Sequence, residues 1–141
     1  MKTKQVSIRQ AKFIAHVLAQ ELMNYGEPIP NFDTRLPGRL ESCLNTPFQY
    51  FNGKPLYRYI PDKAAVLFYL IIKNHPFTNG NKRLAVTITL VFFHLNNKWV
   101  KIPPSDLYDI ACEVASSDTK DKEHQISALK YIFKTYMIKY K

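Results

Sequence analysis

The chain is short of cysteine, short of acids and free of long apolar runs, and each shortage removes a class of protein. Two cysteines, Cys43 and Cys112, stand alone in 141 residues, with no Cys-x-x-Cys and no partner at metal-ligand spacing. That excludes a disulfide-stapled scaffold and a zinc site, and both read as buried free thiols in a reducing compartment. Of the longest apolar stretches, Ala64 to Ile72 is too short to cross a bilayer, and Leu84 to Leu95 is interrupted by Thr87, Thr89 and His94. The opening MKTKQVSIRQ is basic but leads into no apolar leader core, because Arg9, Gln10, Lys12 and His16 interrupt the nearest apolar residues. No membrane association is expected, and the expected location is cytoplasmic. Low-complexity tracts and internal repeats are also missing. With 46% hydrophobic and 13% aromatic residues, the chain can bury one core, so residues 1–141 are read as a single domain.

Eleven acids against 20 Lys and Arg leave a net charge of +9. The bases are dispersed, with a local excess only at Lys130, Lys134, Lys139 and Lys141, and no helix-turn-helix, zinc-finger or RNA-binding motif accompanies them. Specific nucleic-acid binding is therefore not expected. The charge suits a nucleotide and acidic protein surfaces, including an acidic neutralising peptide.

What is present is mostly helical. Ser7 and Gln10 have the spacing of a capping box, and Ala11, Ile14, Ala15, Leu18 and Leu22 come after them at helical period, which predicts a first helix from Ser7 to Tyr25. Pro28, Pro30 and Pro37 make an extended loop before a short helix from Arg39 to Asn45. Phe48, Tyr50, Phe51, Tyr57 and Tyr59 then surround Asn52-Gly53, the turn dipeptide of a tight hairpin. Two buried helices come next, carried by Asp62 to Ile72 and Leu84 to Leu95. Lys98 to Ile102 is an extended link, and Pro103-Pro104 opens another helix. The last helix is placed at Lys122 to Lys139, burying Ile126, Leu129, Ile132, Phe133, Tyr136 and Met137. His16, His94 and His124 have no carboxylate or cysteine at ligand spacing and read as structural or solvent-facing. The fold class is all-α: a compact bundle of five or six helices, with one hairpin ahead of the two central helices.

Between those two helices lies His75-Pro76-Phe77-Thr78-Asn79-Gly80-Asn81-Lys82-Arg83. Pro76 disfavours helical geometry at His75, so the imidazole is left at the end of the first helix. Gly80 and Asn81 open the second, whose first amides form an anion site suited to phosphate. Lys82 and Arg83 add two cations, Arg83 with a fork matched to phosphate oxygens. A base, a phosphate cradle and two cations this close together suggest phosphoryl or nucleotidyl transfer. His75 is the residue placed to take the proton of an attacking hydroxyl, a role typically worth about 10² to 10⁴ in rate. Phe77 reads as a buried anchor for the loop. Asn79 or Asn81 could also cap the second helix.

HPFTNGNKR resembles the core motif of the Fic/Doc superfamily, H-x-F-x-[D/E]-G/A-N-G/K-R, and Lys82 resembles its death-on-curing (Doc) branch. Upstream, RLESCLNTPFQYFNGKPLYRYIPDKAAVLFYLIIKN is similar to the family's helix, target-docking flap and pre-motif helix. Downstream, LAVTITLVFFHLNN is similar to its long central helix, so the resemblance covers about residues 7 to 116. It implies that Gly80, Asn81 and Lys82 offer backbone amides to phosphate, with side chains from Asn81 and Arg83. It makes the hairpin, with Tyr50, Phe51, Asn52 and Gly53, a flap that aligns a segment of a target protein by strand addition. ATP or another nucleoside triphosphate and Mg²⁺ are the implied cofactors.

Two positions depart from the family pattern. Asn79 stands where relatives carry the acid that holds Mg²⁺, and offers only a neutral carbonyl oxygen. Weak or silent catalysis, in a domain that binds nucleotide or a partner, is one consequence. Lys82 replaces the Gly of AMP-transferring members, and Val86 replaces their second Arg. In the Doc branch this pattern goes with an inverted nucleotide whose γ-phosphoryl group faces the nucleophile. The resemblance therefore favours a kinase-like toxin phosphorylating a hydroxyl of a target protein, with a translation elongation factor as the branch's target class. AMP transfer is the alternative. The nearest match to the family's inhibitory segment, Thr119 to Glu123, ends in His124, so control is expected from a separate antitoxin.

Overall fold

The computed structural model describes residues 2–22 and 28–140. Helix α1 is built from Ile8–Gln10, a π-helical turn at Ala11–His16, and Val17–Leu22. Its start is the predicted capping box: Ser7 Oγ accepts the Gln10 N–H at 3.0 Å, and Gln10 Oε1 accepts the Ser7 N–H at 2.9 Å. The end predicted at Tyr25 falls in residues 23–27, outside the described residues. The wider π turn shifts the buried face from the one a regular helix would present. Ala11, Ala15, His16 and Ala19 turn inward, whereas Ile14, expected on the apolar face, is exposed.

Helix α2 spans Arg39–Asn45, as the sequence predicts. The hairpin then forms from β1, Tyr50–Phe51, and β2, Lys54–Pro55, in antiparallel register with Tyr50 opposite Pro55 and Phe51 opposite Lys54. Asn52 at φ 51° and Gly53 at φ 76° make the turn, both left-handed as a tight hairpin requires. The hairpin's base is tied to the next helix by Lys63, whose buried ammonium donates to the Tyr57 carbonyl and lies 5.3 Å from the centre of the Phe48 ring.

Helices α3, Ile60–Asn74, and α4, Asn81–Leu95, form the centre. Residues 63–72 of α3 and 83–93 of α4 are buried on every side, as expected of helices surrounded by others. Helix α5, Pro104–Ser116, and α6, Lys122–Tyr136, pack against them. Phe133 of α6 meets Phe68 of α3 at 5.7 Å and Phe93 of α4 at 5.5 Å between ring centres, joining three helices in one aromatic cluster.

The C-terminal region differs from the sequence expectation. Lys98–Val100 is not a bare link but a strand, β3, paired antiparallel with β4, Met137–Lys139. Consequently α6 stops at Tyr136. Ile126, Leu129 and Phe133 are buried, but Ile132 and Met137 are half-buried and Tyr136 is exposed. The backbone groups of residues 137–139 find partners in β3, which a further helical turn would have taken from them. The architecture is the expected all-α one, with two small two-stranded sheets.

Candidate active site

The connector is shaped by its ends. α3 ends at His75, at φ 47° and ψ 66°, a left-handed conformation at which a helix terminates, and the following Pro76 disfavours continuing in α-helical geometry. The His75 side chain is exposed there. Arg39, from the start of α2, donates Nη1 to the carbonyls of Asn74 at 3.2 Å and His75 at 3.5 Å, serving acceptors the helix end leaves over. On the other side of the helix end, Lys73 Nζ donates to the carbonyls of Ala115 and Ser117, tying α3 to the end of α5.

Phe77 is buried at 1% exposure, the anchor the sequence predicts. Its ring packs against His16 at 5.7 Å and Phe32 at 5.8 Å. His16 is itself held by Pro30, whose carbonyl accepts its Nε2–H at 2.8 Å. Burial pushes the His16 imidazole below its ordinary pKa, partly offset by that hydrogen bond. The proline-rich segment is thus an ordered brace, and the Leu36 N–H donates to the Pro76 carbonyl at 2.8 Å.

Asn81 clamps the loop. Its Oδ1 accepts the Phe77 N–H at 3.0 Å, its Nδ2 donates to the Phe77 carbonyl at 2.8 Å, and the same nitrogen lies 3.4 Å from His75 Nδ1. Because an amide nitrogen only donates, His75 Nδ1 is the accepting ring atom. The Asn81 side chain, expected to reach phosphate, is engaged within the loop, and its contribution toward the cleft is its backbone amide. Neither Asn79 nor Asn81 caps α4: the N-cap is Gly80, at φ 80°, with no side-chain cap. The first intrahelical bond runs from the Leu84 N–H to the Gly80 carbonyl, so the amides of Asn81, Lys82 and Arg83 precede it.

His75, Thr78, Asn79, Gly80, Asn81, Lys82 and Arg83 line one cleft of about 340 Å³, together with Ile72, Tyr108 and Ala115. Of the residues singled out in the sequence, His75, the amide turn and both cations meet here. Phe77 supports the cleft from behind. Tyr50, Phe51, Asn52 and Gly53 do not line it; they stand exposed on the hairpin, with both aromatic rings at 66% exposure. That leaves both rings free of the core. Burial, with Cys112 beside it, pushes the Tyr108 phenol above its ordinary pKa, while the Arg83 guanidinium pulls the other way. Tyr108, Arg39 and Ile29, whose side chain stands against Gly80, are site-shaping residues without a local signature in the sequence.

A metal ion fits this donor set poorly. Among the described residues no group of three or more His, Cys, Asp or Glu converges, and the Asn79 Oδ1 atom is inaccessible to solvent. A phosphate chain fits better: three amides at a helix start, Lys82 and Arg83 are all complementary to it.

Fold and cleft together define a helical protein with a histidine set against an anion-binding helix start. The profile of the Fic/DOC family matches residues 5–93, more than half of the chain, and the protein belongs to that family. Members of this family generally transfer nucleotide-derived groups to proteins and typically use nucleoside triphosphates with Mg²⁺. No curated protein and no solved structure shows significant similarity to the chain.

Proposed function

We propose that the protein is a Doc-like toxin that transfers the γ-phosphoryl group of ATP, or another nucleoside triphosphate, to a hydroxyl of a target protein. The observation carrying this reading is that His75 and the opening turn of α4 face one cleft, with Lys82 lining it where AMP-transferring relatives have glycine. The amides of residues 81–83 hold the phosphate chain, and Lys82 and Arg83 offset the charge on it. The hydroxyl oxygen bonds to the γ-phosphorus, the bond from that phosphorus to the β,γ-bridging oxygen breaks, and the hydroxyl proton passes to the imidazole. Since Nδ1 is turned to the Asn81 amide, either that 3.4 Å contact yields or the ring turns about its Cβ–Cγ bond before the proton is taken. Mg²⁺ would be carried mainly by the nucleotide's own phosphates. The exposed hairpin aligns the target, with an elongation factor as the candidate, and a separate antitoxin covers the cleft. We place this chemistry in the cytoplasm.

Asn79 favours a second reading, a nucleotide- or partner-binding domain of little or no turnover, because a neutral and solvent-inaccessible oxygen replaces the expected acid. One experiment separates the readings. The protein is incubated with Mg²⁺, cell lysate and ATP labelled on either the γ- or the α-phosphate. His75-dependent transfer of γ label alone supports the kinase, α label supports AMP transfer, and transfer of neither supports the binder.

A further inference from the structure

His75 lines two hollows. One is the cleft with the amide turn; the other, of about 390 Å³, is bounded by Gly38, Arg39, Ser42, Lys73 and Asn74. Among the described residues His75 is the one common to both. If the phosphate chain occupies the first, the hydroxyl that yields its proton to the imidazole can reach it from the second. We propose that this second hollow is the acceptor subsite, and that Arg39 and Ser42 select a target segment with a carboxylate one or two residues from the hydroxyl that is modified. The inference rests on the kinase reading and names the acceptor class for it.

The chemistry of the hollow carries this. Among the described residues it holds two cations and no acid. Lys73 is spent on the carbonyls of Ala115 and Ser117. Arg39 commits only Nη1, to the carbonyls of Asn74 and His75, so among the described residues its Nη2 and Nε make no hydrogen bond. Two parallel donors on one planar group match a carboxylate. Ser42 lies three residues along the same helix, so its exposed hydroxyl shares a face with Arg39. Arg39 Nη1 lies 3.5 Å from the His75 backbone carbonyl, so the two residues stand side by side at this hollow. An extended chain advances roughly 3.3 Å per residue, so for neighbouring residues such as Arg39 and His75 the proposal assigns the carboxylate to one or two positions from the hydroxyl. The net charge of +9 works in the same direction, drawing acidic surfaces toward the whole molecule.

The test uses the full chain, Mg²⁺, γ-labelled ATP and degenerate peptides with a fixed central Ser or Thr, the labelled products being sequenced. Each preference is the ratio of Asp or Glu to Lys or Arg within two residues of the labelled hydroxyl. A ratio taken within one variant is insensitive to a general loss of activity. The expected result is a roughly fivefold to tenfold acidic preference for the unaltered protein and an inverted preference for Arg39→Glu. A flat ratio for the unaltered protein overturns the proposal, as does an equal acidic preference in Arg39→Glu. If Arg39→Glu does not fold, the unaltered protein's ratio decides alone, supported by its decline in added salt. His75-dependent labelling with a flat ratio sinks only the acceptor subsite, whereas no labelling of any peptide sinks the kinase reading and this proposal with it.

Discussion

Asn81 grips the Phe77 backbone from both sides, accepting its N–H at 3.0 Å and donating to its carbonyl at 2.8 Å. The two partners are buried, so replacing the amide strands both. Asn81→Ala should cost about 2–4 kcal/mol, the desolvation of two orphaned backbone groups, and should abolish transfer. Urea denaturation checks the first part; loss of less than about 0.5 kcal/mol would show that the clamp is dispensable.

His75 should behave in the opposite way, because its ring is exposed and its backbone is left-handed. His75→Ala should remove activity by at least about 10²-fold with little change in stability. His75→Gly should be equally inactive yet more stable than His75→Ala by about 1 kcal/mol, since glycine adopts this conformation at no steric cost. Comparing the two denaturation midpoints measures it.

Gly80 combines a positive φ with a neighbour. A Cβ there would lie 3.0 Å from Ile29 Cγ1 and 3.3 Å from Cγ2. Gly80→Ala should destabilise by about 1–2 kcal/mol from backbone strain alone, and by more with Ile29 in place. In an Ile29→Ala background the cost of Gly80→Ala should fall toward the backbone share; a double-mutant cycle with no coupling would place the problem elsewhere.

Asn79→Asp places a carboxylate among the residues that line the cleft. If weak metal holding limits the reaction, the variant should be several-fold faster and should saturate at lower Mg²⁺. A Mg²⁺ titration of both proteins decides, and superimposable curves refute that account.

His16 predicts a pH dependence. Its folded pKa lies below 6.5, so the unfolded chain takes up its proton first as pH falls. The folded state therefore keeps this contribution above about 6.5 and loses it progressively as pH drops from there toward the folded pKa. Melting temperatures between pH 7.5 and 5 should fall, and the fall should be shallower in His16→Gln. An identical slope in the variant would exclude His16 as the source.

The connector was readable because its ends carry strong local signals: Pro76 stops one helix, Gly80 begins the next, and Asn52-Gly53 marks the hairpin. The β3–β4 pairing was not, because two three-residue strands joined across 36 residues leave no local pattern, and the apolar spacing of α6 continues smoothly past Tyr136. Ile14 was misplaced because a π turn has no periodic signature to betray it. His75, Lys82 and Arg83 were identified as a group, since the chemistry lies in consecutive residues. Arg39 escaped because a long side chain reaching two carbonyls on another helix depends on tertiary packing.

The brace from Ile29 to Leu36 also bears on how this chemistry can be moved between proteins. Its contacts with Pro76, Phe77 and Gly80 come from 40 or more residues upstream. A designer who grafts only His75 to Arg83 between two foreign helices transplants the reagents without the mould. The smallest portable unit is the discontinuous set that includes α1, the brace, both central helices and α5 with its cleft residues Tyr108 and Ala115.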